Sequence, residues 1–110
     1  YPALGLIVVE KWSKANEASA RALARAVVKA EGLVRTNRAA VDAALVEMYP
    51  ALAPNLRAVL AEEAPKLLSA DGRMAPGGYA LMLRMLKVTD PAMVAVPYEQ
   101  ISALALLPKP

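Results

Sequence analysis

Only one stretch of this chain reads as a β-strand, and that limits the folds open to it more than any other feature. Leu6, Ile7, Val8 and Val9 form an unbroken aliphatic run, mostly β-branched, opened by Gly5 and closed by charge at Glu10 and Lys11. Apolar without alternation, residues 4–9 suit a strand buried on both faces, as in a sheet covered by helices. A single strand in 110 residues makes no sheet of its own. The expectation is a mainly α chain of four to five helices plus one N-terminal strand, belonging to something larger.

Composition agrees with helices. The hydrophobic fraction is 57%, but phenylalanine is absent and alanine supplies much of it. Alanine is the best helix former, so the chain is expected to pack helices closely through small residues. A chain of this length holds one domain at most, with a modest core. No window approaches the roughly 18 continuous apolar residues of a spanning helix, so no membrane insertion is expected.

Thirteen basic and ten acidic residues give a net charge of +3 and are interspersed along the chain. They lack the clustering of a nucleic-acid footprint, so nucleic acid is not expected as a partner. The absence of cysteine leaves the redox compartment open and suits a secreted protein without disulfides. The start at Tyr1-Pro2, with neither an initiator Met nor a basic-then-apolar leader, reads as a processed or truncated product whose export signal lies upstream.

Taken in order, residues 10–15 are expected to form a short helical turn carrying Trp12, after which Asn16 caps a long helix over residues 17–35. Glu17 stands in its first turn, where negative charge meets the positive helix end. Leu23, Val27, Ala30 and Val34 recur at helical spacing beside Ala20 and Ala24, predicting a buried stripe. Gly32 costs about 1 kcal/mol relative to alanine inside a helix, and so is expected to mark a close approach by a neighbouring element. Asn37 caps a second helix over residues 38–48, with Val41, Ala44, Leu45 and Met48 inward.

A third helix spans residues 54–63, with Leu56, Val59 and Leu60 inward and Pro65 kinking or stopping it. Residues 69–72 form a turn around Asp71-Gly72. A fourth helix opens at Pro76-Gly77-Gly78 and carries Tyr79, Met82, Leu83 and Leu86 on one face. A short helix covers residues 98–104 in an apolar tail.

The chemistry-bearing groups are few. Arg21, Arg25 and Lys29 stand four residues apart and either form a solvated face or meet phosphate or a partner protein. The spacings Glu17 to Arg21 and Glu31 to Arg35 suit intrahelical ion pairs and favour the solvated face. Gly77-Gly78 lacks the spacing and the preceding strand of a phosphate loop. Met74, Met82, Met85 and Met93 serve as core filler or as an adaptable groove, the former being commoner. Without His or Cys, the commonest general base, thiol nucleophile and zinc ligands are missing, and no enzyme activity, metal or cofactor is expected. Glu62 and Glu63 point apart on a helix, and Ser13, Ser19, Ser69 and Ser102 have no activating partner nearby in sequence.

Several features in the same order resemble the C-terminal part of periplasmic solute-binding proteins of the nitrate/sulfonate/taurine and thiamine-precursor family of ABC importers. These are the aliphatic run at 4–9, Glu10-Lys11-Trp12, Asn16-Glu17, and the long helix with Ala22-Leu23-Ala24 and Ala30. Thr36-Asn37, the helix through Val41 and Ala44, Asp71-Gly72-Arg73-Met74 and the ending at 98–107 complete the resemblance, which runs over residues 3–108. The chain departs from the family at Glu17, often Pro there, and at Glu31-Gly32-Leu33, where an aromatic is usual.

The resemblance implies a fragment of an α/β two-lobed periplasmic binding protein fold, the C-terminal part of its first lobe. The intact parent would bind a small organic anion or heterocycle between its lobes and deliver it to an ABC permease. No ligand-binding residue, catalytic residue or metal ligand of that family is matched here. The family's enzyme relatives, which build a pyrimidine for thiamine, consume a histidine that this chain lacks. The other reading is a free-standing helical protein-interaction module. If residues 4–9 belong to a sheet whose other strands are elsewhere, the bare strand and helix faces are expected to drive homo-oligomerisation, most simply as a dimer.

Overall fold

A computed structural model describes residues 5–109, so the first residue of the expected strand, Leu4, lies outside the described residues. The architecture is mainly α: α1 (Glu10–Ala15), α2 (Glu17–Thr36), α3 (Arg38–Met48), α4 (Pro54–Leu67), α5 (Pro76–Thr89) and α6 (Tyr98–Ile101) precede a terminal 3-10 turn (Leu104–Leu106). No β-strand occurs among the described residues. Residues 5–9 have no regular structure; Val9 is extended at φ −72° and ψ 127°, and Ile7 is 91% exposed. Among the described residues no second strand pairs with the β-branched run, so it forms no ladder.

The long helix α2 is the axis of the molecule. α1 packs on it, α3 and α4 pack on it and on each other, and the terminal 3-10 turn returns to it. Helix ends follow local chemistry only in part. The Asn37 side chain accepts from the Ala40 backbone N–H at 3.0 Å, capping α3 as its sequence position predicts. Asn16 does the opposite of its expected job. Its amide donates to the Trp12 carbonyl at 3.0 Å, closing the end of α1, and makes no side-chain bond to the start of α2. Separated by that one residue, the two helices compete for it, and α1 holds it twice over, since the Trp12 carbonyl accepts from both its side-chain amide and its backbone N–H.

Two further expectations are corrected. α4 continues to Leu67 with Pro65 inside it. Proline's fixed φ is compatible with helix and removes one N–H, so the helix passes it and ends two residues later. Gly32 meets no neighbouring element, since a Cβ built there has nothing within 4 Å. The close approach lies instead at Gly72, in the turn before α5. Its φ is +76°, and a Cβ would fall 2.8 Å from Val28 Cγ2 on α2 and 3.1 Å from Leu107 Cδ2 in the tail.

The expected buried stripes are mostly open. Ala20 and Ala24 on α2, Ala61 on α4 and Tyr79 on α5 are the buried residues among those described. Leu23, Leu56, Val59, Leu60, Met48 and Leu86 are exposed. Packed elements bury an apolar face only where a second layer covers it, and α2, α3 and α4 leave much of theirs bare. The radius of gyration, 16.6 Å, exceeds the roughly 13 Å of a compact domain of this length.

The two glycines should respond oppositely to alanine. Gly32→Ala fills open space in a helix interior and should stabilise by roughly 0.5–1 kcal/mol. Gly72→Ala forces a left-handed residue against α2 and should cost about 1–2 kcal/mol or more. Urea unfolding midpoints at constant slope measure both signs.

Candidate functional site

Two concavities collect the residues that could act on a partner or ligand. The first is a groove of about 350 Å³ between α2, α3 and α4. Leu33 and Val34 of α2 face Val41, Ala44, Leu45 and Met48 of α3 across it, with Ala64 of α4 beside them. Every lining residue is Ala, Leu, Val or Met, so the groove offers no hydrogen bond or charge from its side chains. Leu33 is 45% exposed and Met48 67% exposed. The helical spacing of Val41, Leu45 and Met48 signals an apolar face, but spacing alone does not say whether that face meets protein or solvent.

The second is a polar cleft of about 560 Å³ between residues 6–8, α1, the start of α2 and the tail. Four of its five charged side chains pair off, Glu10 with Lys14 and Glu17 with Arg21, while Glu99 also lines it. Lys14 Nζ lies 2.5 Å from Glu10 Oε1, and that hydrogen bond holds the Glu10 carboxyl below its ordinary range. Arg21 pairs with Glu17 at 2.6 Å and also donates to the Ala105 carbonyl at 2.5 Å. The guanidinium that heads the expected basic row therefore anchors the tail, while Arg25 and Lys29 remain exposed. Ser102 Oγ in the cleft wall is buried without a hydrogen-bond partner.

The other residues that sequence chemistry singles out are scattered. Ser13 donates to the Glu10 carbonyl at 2.9 Å, which is no base, and Ser69 donates at 3.2 Å to Asp71 Oδ1, whose carboxylate is also held by Arg73 and weakened as a base by it. Glu63 accepts from Lys66 at 2.6 Å and does not pair with Glu62 as an acid and base. Glu31 and Arg35 do not form their expected ion pair. Arg35 donates to the carbonyls of Leu68 and Ser69 beyond α4, and Glu31 Oε2 is buried without a partner. Among the described residues no cluster of three or more His, Cys, Asp or Glu could hold a metal ion, and no helix is long and apolar enough to cross a membrane.

Asp71-Gly72-Arg73 has a clear structural task. Asp71 Oδ1 accepts from the Arg73 backbone N–H at 3.0 Å, the Arg73 guanidinium lies 3.3 Å from Asp71 Oδ2, and the same group donates to the Pro108 carbonyl at 3.3 Å. This closes the turn and ties the tail to it. Tyr98 adds a hydroxyl bond to the Met74 carbonyl at 2.8 Å.

No protein-family model, curated protein or solved structure matches the chain.

The turn predicts a pH response. The Arg73 backbone N–H, helped by the Arg73 and Ser69 side chains, holds the Asp71 carboxyl below its ordinary value of 3.8. Its stabilising contribution is therefore complete above that value and is lost as pH falls from there through the depressed folded value. Asp71→Asn keeps an acceptor for the backbone N–H and removes the titration. Urea midpoints between neutral and strongly acidic pH should fall less steeply for the variant than for the wild type.

Proposed function

We propose that this chain is the C-terminal helical part of the first lobe of a periplasmic solute-binding protein serving an ABC importer, of the nitrate/sulfonate/taurine and thiamine-precursor kind. The observation that supports this reading most is the set of bare apolar faces. Amphipathic helices of a lobe are built to cover a sheet, and here α2, α3 and α4 present Leu33, Leu45, Met48 and Leu60 without a covering layer. The extended, exposed run at residues 6–9 fits a segment whose partner strands would come from the rest of such a lobe. In the intact parent, two lobes would close on a small organic anion or heterocycle and pass it to the membrane permease. Neither concavity is assigned as that solute site, and the chain is read as non-enzymatic.

A second reading, a free-standing helical protein-interaction module, draws on the uncharged groove between α2, α3 and α4. An amphipathic helix from another protein would fit such a groove.

Reading the coding sequence upstream of Tyr1 separates the two. The solute-binding reading expects a leader with a basic start and an apolar core, then a long stretch of alternating strands and helices. An initiator Met directly before Tyr1 would overturn it in favour of the module.

A further inference from the structure

We propose that Arg35 is a two-position latch on the turn between α4 and α5. Its guanidinium holds the turn by donating to the Leu68 and Ser69 carbonyls, and lets it go by swinging back to the Glu31 carboxylate on its own helix. The proposal concerns the chain itself and does not rest on the solute-binding reading.

The turn lies along one face of α2. Val28, Glu31 and Arg35 follow one another at steps of three and four residues, so they stand in one row. At the first of them, a Cβ on Gly72 would fall 2.8 Å from Val28 Cγ2. At the last, Arg35 donates to the Leu68 carbonyl at 2.7 Å and to that of Ser69. Glu31 lies between these two contacts, and its Oε2 is buried without a hydrogen-bond partner. Lys29 and Leu33, off this row, are exposed.

A buried carboxylate oxygen with no donor is costly, more so than a neutral acceptor because it carries charge. The donors around it narrow to one. Ser69 gives its hydroxyl to Asp71 Oδ1, and the Arg73 guanidinium is taken up by Asp71 and the Pro108 carbonyl. Asp71 itself is a second carboxylate and offers Glu31 nothing. Arg35 is one helical turn from Glu31, at the spacing where such pairs form, and its present acceptors are neutral.

Each position leaves something unmet. On the turn, Arg35 satisfies two carbonyls and leaves Glu31 Oε2 bare. On Glu31, it satisfies the carboxylate and leaves the Leu68 and Ser69 carbonyls to water. One ion pair against two bonds from a charged donor to neutral carbonyls is a near-even exchange. Release reaches beyond the turn, because Gly72 abuts Leu107 and Arg73 holds the Pro108 carbonyl, so the tail loosens with it.

Tryptic cleavage after Arg73 under native conditions, followed by mass spectrometry, reads how often the turn opens. Cleavage after Lys14 in α1 is the reference, and circular dichroism follows the helices. Glu31→Gln keeps the shape and removes the charged acceptor, so it should slow cleavage after Arg73 at least about threefold and leave cleavage after Lys14 unchanged. Arg35→Gln should speed cleavage after Arg73, and adding Glu31→Gln to it should change nothing further, since the group that moves is gone. Arg35→Met keeps the apolar stem and carries this half of the cycle if Arg35→Gln loses its helix signal. A purely structural penalty at Glu31 behaves differently, because relieving it slows cleavage as much without Arg35 as with it. That outcome overturns the latch. So does a Glu31→Gln chain cut after Arg73 as fast as wild type, one in which both sites slow alike, or an Arg35 variant cut no faster than wild type.

Discussion

The structure depends on helices that meet through alanine. Ala20 and Ala24 of α2 and Ala61 of α4 are among its few buried residues, and α2 is the element on which α1, α3, α4 and the tail converge. A methyl side chain lets helix backbones approach closely, but burying one contributes only about 0.8 kcal/mol. The larger apolar side chains, which could contribute more, stand at the edges of these contacts or outside them. A small-residue seam fixes where helices cross without supplying much of the free energy that holds them there.

Guanidinium groups make up part of what the core lacks. Arg21 holds the Ala105 carbonyl, Arg35 those of Leu68 and Ser69, Arg57 that of Leu52, and Arg73 that of Pro108. Each of these carbonyls lies in a loop or the tail, where no helix ladder satisfies it, and a hydrogen bond from a charged donor is stronger than one between neutral groups. Tyr79 does a related job at α5: its buried ring sits 5.6 Å from that of Tyr98, and its hydroxyl donates to the Val96 carbonyl at 2.5 Å. The connections are therefore pinned at points rather than sealed by packing.

That division explains what could be read from the sequence. Helix existence was legible because it rests on local signals: alanine content, the Asn37 cap, Pro54 and Pro76 at first helical positions, and Asp71-Gly72 in a turn. What depended on distant partners was not. Asn16 could serve either of two helix ends, and only the fold decides that it closes α1. From sequence, Gly32 is expected to meet a neighbour and Gly72 to turn the chain, yet it is Gly72 that lies against Val28 and Leu107. Arg35 has a well-spaced Glu31 and reaches instead to the end of α4. The aliphatic run at residues 6–9 carries strand propensity, but a strand also needs a partner segment. Periodicity placed Val41, Leu45 and Met48 on one face of α3 and left open whether that face would be core or groove.

The same use of arginine narrows the kind of recognition this surface supports. A net charge of +3 is compatible with an anion-binding face, yet the guanidinium at the head of the Arg21–Arg25–Lys29 row is committed to Glu17 and the tail. Most charges in the polar cleft are paired with near neighbours, so an ionic ligand there would have to displace existing partners to gain its own. The groove between α2, α3 and α4 imposes no such exchange. Its lining has no polar side chain to desolvate, and covering it releases water from apolar surface alone. Of the two concavities, the uncharged one therefore gives up least on being covered.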